Sequence, residues 1–208
     1  REDRYGNRLS ILGYGCMRFP QKMGAVDMEK TEHQVMTAIK NGVNYFDTAY
    51  PYHDGESERV IGRILSKYPR ESFYLADKFP GHQISKNYNP KEVFEHQLKK
   101  CQTEYFDYYL LHNMASEEVF NKRFKDNGVI DFLLKEREAG RIRNLGFSFH
   151  GNKEGFDSLV ALHDKYHWDF VQIQLNWMDW THPGRGNADA EHLQAELDKK
   201  GIKSIIME

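Results

Sequence analysis

Seven short apolar runs alternate with six amphipathic stretches along the whole chain, and this beat limits the folds open to it. The runs fall at 10–15, 43–47, 73–78, 105–112, 142–148, 170–176 and 202–207. They are rich in β-branched and aromatic residues and bounded by Gly, Asn, Asp or Pro, which is strand chemistry. Several are apolar almost throughout, as strands covered on both faces must be. The stretches 28–42, 57–68, 89–101, 128–141, 155–167 and 187–201 are helical in pattern. Val35, Ala38 and Ile39 share one face, and Val60, Ile61, Ile64 and Leu65 recur at helical spacing. Asn89 before Pro90 reads as an N-cap, and Asn41-Gly42 as a stop. The segments 79–89 and 113–128 read as irregular loops directly after strands.

Strands alternating with helices predict a parallel α/β fold, either an open doubly wound sheet or a (β/α)8 barrel. Gly13-x-Gly15-x-x-Arg18 lacks the third glycine of a dinucleotide-binding turn, and polar residues end many strands. Both facts favour the TIM barrel, as one domain over residues 1–208. A barrel needs eight strands, so the expectation is a chain that ends inside strand seven, with strand eight and the C-terminal part absent. Residues 1–208 alone are then expected to aggregate or to bind cofactor weakly, because strands one and seven have unpaired edges.

The 208 residues carry a net charge of −2 with both signs interspersed, which argues against nucleic acid as a partner. No apolar run approaches the roughly 18 residues of a membrane span. Cys16 and Cys101 lack metal-ligand spacing and fit a reducing, cytoplasmic setting.

The strand ends carry the chemistry. Strand two ends on Asp47 with Tyr52 in the next turn, strand three on Lys78, strand four on His112 and strand five on Ser148. Strand six carries Gln172, Gln174 and Asn176. In a barrel these ends share one face. Singly, each has an ordinary reading as a cap, loop aromatic, solvated strand end or core histidine. Together, buried charges need partners, and these residues supply one another. Such a set suits proton transfer to a carbonyl oxygen. A phenol titrates near pH 10 (about 10 in the free side chain), an adjacent ammonium pulls that value down, and an aspartate holds the ammonium. None of the four supplies a hydride, which calls for a nicotinamide. Ser148 and Gln172 suit its carboxamide.

FDTAYPY, LADKFP and YYLLHN, with GFSFHG and QIQLNW, resemble the ordered motifs of the aldo/keto reductase superfamily along essentially the whole chain. The resemblance implies a catalytic tetrad of Asp47, Tyr52, Lys78 and His112, with Tyr52 the general acid. It implies cofactor contacts from Met17, Arg18, Asp47, Ser148, Gln172 and Met207, with Trp177 beside the substrate. It implies NADPH or NADH as cofactor and a small aldehyde, ketone or quinone as substrate. Phe149-His150 stand where many members carry a second carboxamide ligand, and Met207 where an aromatic stacks on the nicotinamide. Asp77 replaces a small hydroxyl residue and is expected to face away from the site. The pattern looks most like a prokaryotic subgroup often carrying a C-terminal ferredoxin-like 4Fe-4S segment, which would bring an electron-transfer partner. Two other readings are a cofactor-binding sensor on the same fold and a metal-dependent hydrolase using Asp47, His112 and His150. Lys78 and the absence of H-x-H or H-E-x-x-H spacing oppose the hydrolase, and the predicted site holds no metal.

Overall fold

A computed structural model describes residues 2–3, 6–81, 88–184 and 187–207. β1 (Tyr14–Gly15) leads into a small antiparallel hairpin of β2 (Gln21–Lys22) and β3 (Ala25–Val26). Next come α1 (Met28–Lys40), β4 (Tyr45–Asp47), a 3-10 turn (Tyr52–Gly55) and α2 (Ser57–Leu65). β5 (Tyr74–Phe79), α3 (Pro90–Cys101) and β6 (Phe106–Met114) follow, then α4 (Glu117–Phe120) and α5 (Val129–Glu138). The rest is β7 (Ile142–Phe149), α6 (Lys153–Ala161), α7 (His163–Tyr166), β8 (Phe170–Gln174), α8 (Ala190–Lys200) and β9 (Lys203–Met207). Short polar side chains start α1, α3 and α6. Asp27 accepts from Lys30 N at 3.1 Å, Asn89 from Lys91 N at 3.0 Å and Asn152 from Gly155 N at 2.9 Å.

Seven strands pair in parallel in the order β1-β4-β5-β6-β7-β8-β9. The sheet is curled. β4 and β8 are separated by four strand-to-strand steps, roughly 19 Å in a flat sheet. Yet Gln172 Nε2 of β8 donates to Asp47 Oδ2 of β4 at 3.0 Å. Only a rolled sheet brings those ends together. Tyr45, Ala76, Tyr108, Leu110 and Phe170 fill the concave face. There the Tyr108 ring lies 5.3 Å from Tyr45 and 5.2 Å from Phe170. Alternate residues such as Phe46, Leu75, Tyr109, Leu111, Phe147 and Val171 join the main core. Two layers covering one sheet explain why its strands read as continuous apolar runs.

Several expectations need correction. Strand one shrinks to Tyr14–Gly15, because Ser10 N donates to the Asn44 side chain at 2.8 Å instead of joining a ladder. The 113–128 segment is not irregular: it contains α4 and a wide helical turn over Asn121–Lys125. The 155–167 helix is two helices, α6 and α7. The irregular reading of 79–89 falls partly on 82–87, which lie outside the described residues, as do 185–186. Among the described residues, no helix is long and apolar enough to cross a membrane.

Candidate active site

The carboxyl ends of β4, β5, β7 and β8 converge through register. Asp47 pairs with Ala76, Lys78 with Leu110, Leu110 with Gly146, Ser148 with Gln172, and Gln174 with Met207. Side chains alternate along each strand, so these residues share the concave face, and Asp77 falls on the helix side as its parity requires.

Lys78 is the centre of the cluster. It is 1 % exposed, its ammonium is ion-paired to Asp47 Oδ1, and it donates to Thr48 O at 2.7 Å. Burial pulls its pKa down, while Asp47, Tyr52 and Asp77 push it up and prevail. The ammonium therefore stays charged in spite of its burial. Asp47 is held from the other side by Gln172. Tyr52 lies over this pair, with Lys78 Nζ 5.0 Å from its ring centroid. The His112 ring meets Tyr52 edge-on, centroids 6.0 Å apart at 82°. Four residues from three strands and one turn thus form one contact group.

The phenol departs from the sequence reading in one respect. Burial, together with Asp47, raises the Tyr52 pKa above its ordinary value, although Lys78 acts to lower it. The ammonium effect has the expected sign, but desolvation outweighs it. Tyr52 consequently keeps its proton across the neutral range.

Ser148, 2 % exposed, accepts from Asn113 N at 2.9 Å, leaving its own hydroxyl proton uncommitted among the described residues. Asn113 sits at φ +59 beside a register shift in β6. Met17 and Arg18 are exposed in the turn after β1. Met207 is half-buried at the end of β9, and Trp177 is 96 % exposed after β8. Asp179, not singled out by the sequence, organises that segment by accepting from Gln174 at 2.9 Å and Asn176 at 2.6 Å. His150 is exposed, and no group of three or more His, Cys, Asp or Glu gathers as a metal site among the described residues.

Sequence reading also missed Tyr45, two residues before Asp47 and therefore on the same face. Burial first, then the Asp47 charge, pushes this phenol well above its ordinary pKa. The signal was strand parity alone.

Behind β5 lies a second buried polar cluster. Glu58 is ion-paired to Lys100, and the Gln97 amide bridges Glu58 Oε1 at 2.9 Å and Asp77 Oδ2 at 3.0 Å. Burial and the neighbouring Glu58 push the Asp77 carboxyl well above the carboxylate range. A carboxyl raised on folding keeps a proton that the unfolded chain releases as pH rises past its own carboxylate value. Stability due to this group is therefore lost with rising pH. Asp77→Asn, which removes that titration, should improve relative stability more at pH 8 than at pH 5, as thermal unfolding of both proteins will measure. An equal shift at the two pH values would contradict a protonated Asp77.

Comparison with known proteins identifies the family and the fold. The profile of the Aldo/keto reductase family matches residues 11–208. The chain is 27 % identical over 189 residues to probable aldo-keto reductase 1 of Glycine max, covering 85 % of this chain and 50 % of that protein. It is 27 % identical over 158 residues to the NADH-specific methylglyoxal reductase of Escherichia coli, covering 66 % and 48 %. It spans about half the length of these curated relatives. Among solved structures, the holo form of aldo-keto reductase AKR11C1 from Bacillus halodurans superposes with TM-score 0.74 at 22 % identity, covering 95 % of this chain and 61 % of that one. The aldo-keto reductase from Klebsiella pneumoniae in complex with NADPH gives 0.72 at 20 %, covering 98 % and 65 %. With the family profile matched almost from end to end, the chain belongs to the aldo/keto reductase family.

Proposed function

We propose that this chain carries the active site of an NAD(P)H-dependent reductase of small aldehydes, ketones or quinones. The observation that carries the reading is Lys78, buried and charged, held by Asp47 and Thr48 O directly beneath the Tyr52 ring. In this reading Tyr52 gives its proton to the carbonyl oxygen as negative charge develops there. Lys78 stabilises the tyrosinate left behind, Asp47 fixes the ammonium, and His112 orients the carbonyl. The raised Tyr52 pKa keeps the proton on the phenol at neutral pH but makes it a weaker acid, so the role depends on Lys78 stabilising the tyrosinate as it forms.

The strand ends fit a nicotinamide. Ser148 has a hydroxyl proton to donate, and Gln172 Oε1 takes no hydrogen bond among the described residues; the two stand side by side in register. They would hold the carboxamide, with Met17, Arg18 and Met207 at the rim and Asp47 close by. When bound, the cofactor supplies the hydride. NADPH is the proposed donor and NADH the alternative. An eighth strand closing β9 onto β1, to make a complete single-domain barrel, belongs to the same proposal. So do the cytoplasmic setting and Trp177 as a substrate contact. An iron–sulfur segment and its electron-transfer partner rest on the sequence resemblance alone; Cys16 and Cys101 are buried and unpaired in a disulfide.

The test is NADPH oxidation by the full-length protein against a panel of aldehydes, ketones and quinones. Turnover with a carbonyl supports the reading. Tight cofactor binding without turnover on any carbonyl would replace it with the sensor.

A further inference from the structure

The turn that carries Tyr52 is held in a conformation its sequence does not favour. His53 and Asp54, directly after Tyr52, have φ +52 and +55, and Gly55 follows at φ +90. The left-handed region disfavours residues with a Cβ, so contacts must hold such a turn in place. Asp54 is exposed. The His53 ring supplies the contacts. Its Nε2 accepts from Phe19 N at 2.9 Å, its Nδ1 lies 3.2 Å from the Gln21 side-chain amide, and it stacks on the Phe19 ring at 5.2 Å and 11°. From beneath, Lys100 Nζ reaches Gly55 O at 3.4 Å.

We infer that His53 is a positioning residue, a latch that fixes Tyr52 by tying its turn to the segment that follows Met17 and Arg18. The inference rests on the carbonyl-reductase reading for its kinetic consequence, though not for its geometry. A backbone N–H can only donate, so Nε2 must hold a lone pair and the proton must sit on Nδ1. The Gln21 amide nitrogen stands 3.2 Å from Nδ1, and exchanging the two amide ends puts Oε1 there to accept that proton. The charged groups on the elements meeting here are Arg18 and Lys22 on the segment, Asp54 and Glu56 on the turn, and Lys100 from α3 below. Loss of the latch moves the general acid while leaving the carboxamide-binding ends of β7 and β8 in place. Its signature is therefore a fall in kcat with little change in cofactor affinity.

Three substitutions and one spectrum test the inference on the full-length protein. His53→Phe keeps the stack and removes the acceptor, and should lower kcat about tenfold or more with NADPH Kd within about threefold. His53→Gln places an acceptor where Nε2 stood and should restore kcat to within about threefold. His53→Gly relieves the strained φ but restores no acceptor, so it should resemble Phe. Nitrogen NMR of the imidazole should report the Nδ1–H tautomer. Wild-type kcat in His53→Phe, or a Gln variant no better than Phe, would overturn the latch. An Nε2–H signature would overturn it as well, even if no carbonyl were turned over, whereas an Nδ1–H signature in a protein without turnover would refute only the reductase reading.

Discussion

Tyr52→Phe is expected to lower kcat for carbonyl reduction by about 10²–10⁴, the range for loss of a positioned general acid. The substitution removes one oxygen and keeps the ring that meets His112 edge-on and covers Lys78. Cofactor affinity and thermal stability should therefore change little. Steady-state kinetics, with NADPH titration of both proteins, separates the outcomes. A large loss in kcat at unchanged Kd identifies the phenol as the proton donor. Unchanged turnover would move that role to His112 or to solvent. The raised phenol pKa adds a second expectation. Neutral pH should not titrate Tyr52, so a limb near neutrality in the wild-type profile must arise from another group.

The largest stability effect is expected at Lys100. Glu58 is fully buried and Lys100 nearly so, and they form an ion pair in the interior. Lys100→Met preserves most of the volume and strands the Glu58 charge, which should cost about 3–5 kcal/mol. Urea unfolding at neutral pH measures it. Glu58→Gln with Lys100→Met should recover most of the loss, because desolvating two charges offsets much of their attraction. A single-substitution loss below about 1 kcal/mol would show that the pair is solvated or that Glu58 takes up the proton instead. Since Lys100 also reaches Gly55 O, the variant tests whether the Tyr52 turn depends on support from α3.

Most of the site was legible because a parallel sheet makes it so. The runs read as strands two to six each ended on a polar residue, and the pairing register then brought Asp47, Lys78, Ser148 and Gln172 to one face. Asp77 was equally legible, since it occupies the alternate parity and its side chain joins Gln97. What escaped depended on contacts between segments far apart in sequence. His53 meets Phe19 and Gln21 over more than thirty residues of chain, and no local pattern announces that. The β2–β3 hairpin has two residues in each strand, and its turn places Met23 rather than Asn or Asp at φ +52 before Gly24. α4 is a single turn started by Ser116, which accepts from Val119 N at 3.3 Å, too short for periodicity to show. The direction of the Tyr52 pKa was misjudged because spacing reveals a charged neighbour but not the burial that opposes it.

Transfer of hydride from a nicotinamide to a carbonyl carbon at this cluster can be followed by isotope tracing. NADPH carrying deuterium at its transferable position is mixed with the full-length protein and a carbonyl substrate, and the product is analysed by mass spectrometry. Deuterium is expected on the carbinol carbon of the product alcohol, with its formation strongly reduced in Tyr52→Phe. Deuterium retained on the cofactor while the carbonyl is consumed, or no alcohol formed by protein that has bound NADPH, would contradict it.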